Sequence, residues 1–172
     1  MEAQRDRIIL EPISKEDTPL IVRWRNNEKV RKNFIFQETF TEEMHNHWMD
    51  TKVAKGEVVQ FIIRLKESKE AIGSVYFRDI DHNKKQAEYG IFIGEDTMRG
   101  KGYGSEAAKL ALDYAFKELK LESVFLRVFA DNPLAIQSYK SAGFEETEYR
   151  KNAVENNGIY RDLIFMSKKN DL

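Results

Sequence analysis

The spacing of apolar and polar positions changes several times along the chain, and each change marks an element. Residues 8–13 form a short apolar stretch, predicted as a first strand. Ser14 stands next as a helix N-cap, with Asp17 three residues on as a weaker capping-box partner, ahead of a helix carrying Leu20, Ile21 and Trp24. Thr41 caps a second helical stretch running through Met44 and Trp48. From residue 58 the period becomes two, and Val59, Phe61, Ile63 and Leu65 share one face of a strand. Strands over 72–80 and 87–93 follow, separated by charged turns at 66–70 and 81–85. Three consecutive strands with short polar connections predict an antiparallel meander.

The clearest helix covers 105–119, where Ala107, Ala108, Ala111, Leu112, Ala115 and Leu119 make an apolar stripe. Residues 124–130 are apolar and β-branched, predicted as a buried strand. Asn132-Pro133 combines an N-cap with proline at the first helical position, and Gly143 ends the helix that follows. Two last strands, 144–149 and 160–166, flank a loop at Asn156-Asn157-Gly158. The order predicts an α/β (α+β) fold in which helices pack on a mixed sheet. No repeat, low-complexity tract or linker divides it, so one domain over 1–172 is expected.

Charge and composition narrow the function. Lys plus Arg total 28 and Asp plus Glu 29, which speaks against a partner such as nucleic acid or anionic membrane. No apolar run approaches the ~20 residues of a membrane span. Residues 1–6 are polar and charged, so no signal peptide is expected and the cytoplasm is the natural location. The absence of cysteine removes disulfides, thiolate metal sites and a cysteine nucleophile. His45 and His47 lie two apart, about 200° around a predicted helix, so they do not share a metal. His82 falls in a turn, and no metal site is expected.

Candidate chemistry concentrates at Arg99-Gly100-Lys101-Gly102-Tyr103-Gly104, which follows a strand and opens a helix. Three glycines in five residues leave the backbone bare. Successive N–H groups can then face one anion, reinforced by the helix N-terminus. Arg99 and Lys101 add full charges, which suits a pyrophosphate. The same glycines also suit a loop that merely needs positive φ. A Walker loop is a worse fit, because Lys101 is followed by Gly102 rather than Ser or Thr. A dinucleotide fingerprint needs an early strand-helix-strand unit, which is missing here.

Arg99 to Gly104 resembles the Gln/Arg-x-x-Gly-x-Gly/Ala acyl-CoA loop of the GNAT acetyltransferase superfamily. Ala87-Glu88-Tyr89-Gly90-Ile91-Phe92-Ile93 is similar to that family's fourth strand. Asn132-Pro133-Leu134-Ala135-Ile136-Gln137-Ser138-Tyr139, followed by Ala142-Gly143-Phe144, resembles its Asn-x-x-Ala-x-x-x-Tyr … Gly-Phe segment. The three motifs occur in the family's order. Within the superfamily the chain looks most like the branch of ribosomal-protein N-terminal, spermidine and sugar-amine acetyltransferases. The resemblance implies a mostly antiparallel sheet of about seven strands flanked by about four helices.

The same resemblance implies an acetyl-CoA-dependent N-acetyltransferase acting by direct attack of a primary amine. Acetyl-CoA would lie where the fourth and fifth strands part. The backbone of Ile91, Phe92 and Ile93 would hold the pantetheine arm, Arg99, Gly100, Lys101, Gly102, Tyr103, Gly104 and Ser105 the pyrophosphate, and Asn132 would also touch the cofactor. Tyr139 matches the family's general acid; otherwise it is a helix aromatic packed in the core. Glu88 is placed to take the amine proton through water; otherwise it is a solvated strand carboxylate in a salt bridge. Trp24, Arg25, Asn26, His45 and Trp48 fall where the family binds its acceptor, which could be a protein or peptide N-terminus, an amino sugar or a polyamine.

Arg23, Arg25, Lys29, Arg31 and Lys32 crowd that region, which suits an acceptor carrying phosphate such as a nucleotide-linked amino sugar. A solvated helix face explains them equally. Trp24, Phe34, Phe36, Trp48 and the last strand offer more aromatic surface than one small core covers, so a homo-oligomer, dimer or larger, is expected. The competing reading is a catalytically silent acyl-CoA-binding regulatory module. The presence of both Glu88 and Tyr139 counts against it.

Overall fold

A computed structural model of the chain describes residues 7–171. The polar start at 1–6, read above as lacking a signal peptide, lies outside the described residues. Seven strands form one sheet in the order β1-β2-β3-β4-β5-β7-β6. They are β1 (Ile8–Pro12), β2 (Val59–Leu65), β3 (Ala71–Asp81), β4 (Gln86–Ile93), β5 (Ser123–Phe129), β6 (Glu145–Asn156) and β7 (Ile159–Lys169). Every neighbouring pair is antiparallel except β4 and β5. The meander expected from the period-two pattern is β2-β3-β4.

Among the described residues five α-helices accompany the sheet: α1 (Thr18–Asn26), α2 (Glu28–Arg31), α3 (Glu42–Trp48), α4 (Tyr103–Lys117) and α5 (Pro133–Ser141). The count exceeds the expected four because the first helical stretch breaks. Asn27 is extended, with φ −65° and ψ 125°, and its side-chain oxygen accepts from the Lys29 N–H at 3.1 Å, which starts α2 afresh. Thr41 caps α3 as expected, accepting from the Met44 N–H at 3.1 Å.

Alternation along the strands sorts the core into two faces. Phe61, Ile63, Val75, Phe77, Tyr89 and Val124 point to the side covered by α4, whose Ala107, Ala108, Ala111 and Ala115 are fully buried there. Small residues let this helix lie close against the strands. The opposite face turns Ile62 and Phe92 toward Ile21, Trp24 and Val30 of α1 and α2. Gly94, directly after β4, leaves room for Trp24: a Cβ there would stand 2.2 Å from its ring.

The last hairpin is longer than its sequence suggests. β6 is exposed along nearly its whole length, so it carries no apolar alternation to read. Its turn is Asn157-Gly158, both with positive φ (53° and 81°), the combination that a two-residue type I′ hairpin requires. Tyr149, Ile159 and Tyr160 stand exposed on this hairpin, as does Phe36 elsewhere. Trp24, counted above as spare aromatic surface, is instead core. Among the described residues no helix is long and apolar enough to cross a membrane.

Candidate active site

β4 and β5 run together for only three residue pairs, Gln86–Ser123, Ala87–Val124 and Glu88–Phe125, and then part. From Tyr89 to Ile93 the β5-facing edge of β4 has no ladder partner. A cavity of about 970 Å³ opens there. It is lined by Ile91, Phe92 and Ile93, by Arg99, Gly100, Gly102, Tyr103, Gly104 and Ser105, and by Asn132 and Tyr139. Lys101 is the one residue of the 99–105 loop outside this lining.

The loop's conformation follows from its glycines. Gly100 (φ 75°) and Gly102 (φ 84°) are left-handed, and Gly102 caps α4 without any side-chain hydrogen bond. The first N–H groups of α4 are therefore left for another acceptor. A Cβ at Gly100 would meet nothing within 4 Å, so its bare face opens outward. This is the geometry a diphosphate needs.

Arg99 does more bracing than the sequence suggests. Its Nε donates to the Ile93 carbonyl at 3.0 Å, and its Nη1 to Asp96 Oδ1 at 2.5 Å. On the other side Arg7, not singled out from sequence, clasps the loop. Its main-chain N–H and Nε reach the Glu106 carboxylate at 2.8 and 2.9 Å, its Nη1 reaches the Lys101 carbonyl at 3.1 Å, and it stacks on Tyr103. The readable signal is Glu106, a carboxylate buried in the first turn of α4.

α5 begins where Asn132 Oδ1 accepts from the Ala135 N–H at 3.4 Å. Two turns on, Tyr139 stands edge-on to Tyr89 and Phe144, with ring centroids 6.2 and 6.0 Å away. These rings fix its orientation, while its hydroxyl has no protein partner among the described residues. Burial pushes the phenol's pKa up, so the group stays protonated. The Ser105 and Ser138 hydroxyls, 3.1 Å apart, tie α4 to α5.

Glu88 lines the same cavity but is not solvated. Arg127 grips it with two donors, Nε to Oε2 at 2.6 Å and Nη2 to Oε1 at 3.2 Å, and Arg78 Nε lies 4.0 Å from Oε1. Tyr76 was also missed in the sequence. Its ring crosses Gly90, where a Cβ would come within 2.2 Å of it.

Of the acceptor candidates, Arg25, His45 and Trp48 line the cavity, and Trp24 and Asn26 do not. Trp24 is buried, with its Nε1 donating to Glu95 Oε2 at 2.6 Å. Asn26 pins the main chain of Phe40 from both sides, donating to its carbonyl at 2.7 Å and accepting from its N–H at 2.8 Å. Trp48 is held by Gln60, whose Oε1 accepts the indole proton at 3.0 Å.

The sequence profile of the acetyltransferase (GNAT) domain family matches residues 7–145. The chain belongs to this family. Spermidine N(1)-acetyltransferase of Escherichia coli K12 is 30% identical over 158 residues, 91% of this chain and 83% of that protein. The structure of Vibrio cholerae spermidine N-acetyltransferase in complex with CoA and spermine superposes with a TM-score of 0.88 at 24% identity, covering 95% of each chain. A dodecameric structure of the Vibrio cholerae enzyme gives 0.81 at 25% identity, over 95% of this chain and 94% of that one. The GNAT domain described here is thus an N-acetyltransferase, with acetyl-CoA as its acetyl donor.

Proposed function

We propose that the chain acetylates a primary amine bound in this cavity by direct attack, with no acyl-enzyme. The parting of β4 from β5 beside an uncapped, glycine-rich helix start carries this reading. When bound, acetyl-CoA supplies an activated thioester. The N–H groups of the 100–105 loop hold its pyrophosphate, with Lys101 at the rim and Arg99 chiefly as brace. Main-chain groups of Ile91, Phe92 and Ile93 hold the pantetheine arm, and an N–H there polarises the thioester carbonyl. Asn132 shapes the start of α5 and touches the cofactor. Tyr139 delivers a proton to the departing sulfur. Thiol release from acetyl-CoA that depends on added amine tests the reading; cofactor binding without amine-dependent release would favour a silent binding module.

Glu88 takes the ammonium proton, in this reading through water, because Arg127 engages both of its carboxylate oxygens. Glu88→Gln should depress turnover most near neutral pH. Raising the pH supplies neutral amine from solution, so the deficit should shrink as pH rises. A pH–rate series checks this. A deficit constant with pH would reduce Glu88 to a structural partner of Arg127.

The acceptor named for the E. coli relative is spermidine. On this chain Arg25, His45 and Trp48 form the acceptor wall, supported by Asn26 through Phe40 and by Trp24 from behind. We also propose that the chain assembles into a homo-oligomer through the exposed aromatic positions of the β6–β7 hairpin, in keeping with the dodecamer formed by the Vibrio cholerae protein. Light scattering should give a mass well above the 20.2 kDa chain at micromolar protein, and a monomer would contradict it.

A further inference from the structure

Nine of the ten described arginines have a carboxylate oxygen within 4.0 Å. Arg25 is the exception, and it also lacks any hydrogen bond to the described protein. It lines the cavity with its guanidinium between two aromatic faces, 3.8 Å from the Phe34 ring centroid and 4.4 Å from that of Phe40. Phe40 is itself fixed by Asn26. The fork is therefore rigid, partly stripped of water and without a counter-charge. Burial acts against its protonated form, an effect that Tyr76 opposes and the charge of Arg78 adds to. Cation–π contact offsets part of that cost and leaves the donors in the guanidinium plane unused.

The surroundings deepen the imbalance. Lys29 and Lys32 line the same cavity with no carboxylate of the described residues within 4.0 Å. The one acidic side chain in the lining, Glu88, is already held by Arg127 and approached by Arg78. A polycation entering here would meet like charge.

A second buried group lacks its partner. His45, 1% exposed, lines the cavity, and its Nε2 has no hydrogen-bond partner among the described residues. The Thr18 hydroxyl donates to Asn46 Oδ1 at 3.2 Å, so the 2.9 Å contact between Thr18 Oγ1 and His45 Nδ1 carries the imidazole proton. Nε2 is then a bare acceptor. Burial, and after it the charge of Arg25, lowers the His45 pKa to about 4, so the ring stays neutral at working pH. A bound molecule that satisfies both groups brings an oxyanion for Arg25 and a hydroxyl or N–H donor for Nε2.

We infer that the amine acceptor carries an oxyanion, a phosphate or a carboxylate, that docks on the unpaired Arg25 fork, with a donor group on His45 Nε2. This rests on the reading that the acceptor binds in this cavity. Matched pairs test it: glucosamine against glucosamine 6-phosphate for the phosphate arm, 4-aminobutanamide against 4-aminobutanoate for the carboxylate arm, and spermidine as the polycation. At least one anionic member should exceed its neutral partner in kcat/KM by about tenfold or more, the size of one charged hydrogen-bonded contact. Arg25→Gln should collapse that ratio toward one, mainly through KM, and Arg25→Lys should restore part of it. Preference for the neutral members or for spermidine would overturn the inference, as would an Arg25→Gln loss equal on both members of a pair. Should no amine be acetylated, pyrophosphate is titrated calorimetrically into the CoA-loaded protein. Binding that Arg25→Gln abolishes would keep the anion site and remove the catalytic reading; no binding to the wild type would remove both.

Discussion

Replacing Tyr139 with phenylalanine is expected to cut turnover by ~10²-fold or more, the usual size of general acid catalysis, while acetyl-CoA affinity changes little. The substitution removes one hydroxyl and leaves the ring in the frame of Tyr89 and Phe144. That hydroxyl has no protein partner among the described residues, so its loss strands no buried donor or acceptor. The deficit therefore belongs to the leaving group rather than to folding. Burial raises the phenol's pKa above its ordinary ~10, which keeps the proton in place up to strongly alkaline pH. With Tyr139 as the proposed acid, transfer to a thiolate of intrinsic pKa near 8.5 would also be uphill, so the proton would move only as negative charge builds on sulfur. An acid works while protonated, that is, below its pKa. The wild-type rate should thus rise with pH as neutral amine accumulates, with no fall assignable to Tyr139 below about pH 10. The Tyr139→Phe curve should run parallel and lower, unlike that of Glu88→Gln, which converges on the wild type at high pH. Equal rates for Tyr139→Phe and wild type across the series would return Tyr139 to a core aromatic.

What the chain reveals before folding is what depends on near neighbours. The period-two runs of β2 to β4, the alanine stripe of α4 and the Asn132-Pro133 start are each written within a few residues, and each element lies within a residue or two of expectation. The glycines at 100 and 102 were legible for the same reason. Pairings across the sheet were not. Glu88 and Arg127 lie 39 positions apart, and only the three-pair contact of β4 with β5, which sets Glu88 opposite Phe125, brings Arg127 two residues on within reach. Arg25 looked like one member of a basic cluster until Phe34 and Phe40 closed on it. Trp24 and Asn26 shared its motif yet turn away, because consecutive helical residues point in different directions. β6 escaped measurement because a strand exposed on both faces has no reason to alternate.

Gly102→Val should weaken acetyl-CoA binding by one to two powers of ten with the fold intact. The cause is conformation before bulk. Gly102 sits at φ 84°, a region that a β-branched residue adopts only with strain of order 1–3 kcal/mol. Little blocks the side chain itself, since an added Cβ would meet only the Arg7 guanidinium, at 3.4 Å. The loop relieves the strain by rotating its peptides, which turns the first N–H groups of α4 off a common point. At 1.4 kcal/mol per factor of ten, that strain and those lost contacts give the stated loss. Gly104→Ala separates shape from space. Gly104 lies inside α4 without positive φ, and a Cβ there would touch Ser138 Oγ at an ordinary 3.5 Å. It should therefore bind acetyl-CoA far better than Gly102→Val. Calorimetric titration of both variants, alongside their melting temperatures, decides the matter. Unchanged affinity in a folded Gly102→Val protein would show that the cofactor's phosphates are held elsewhere.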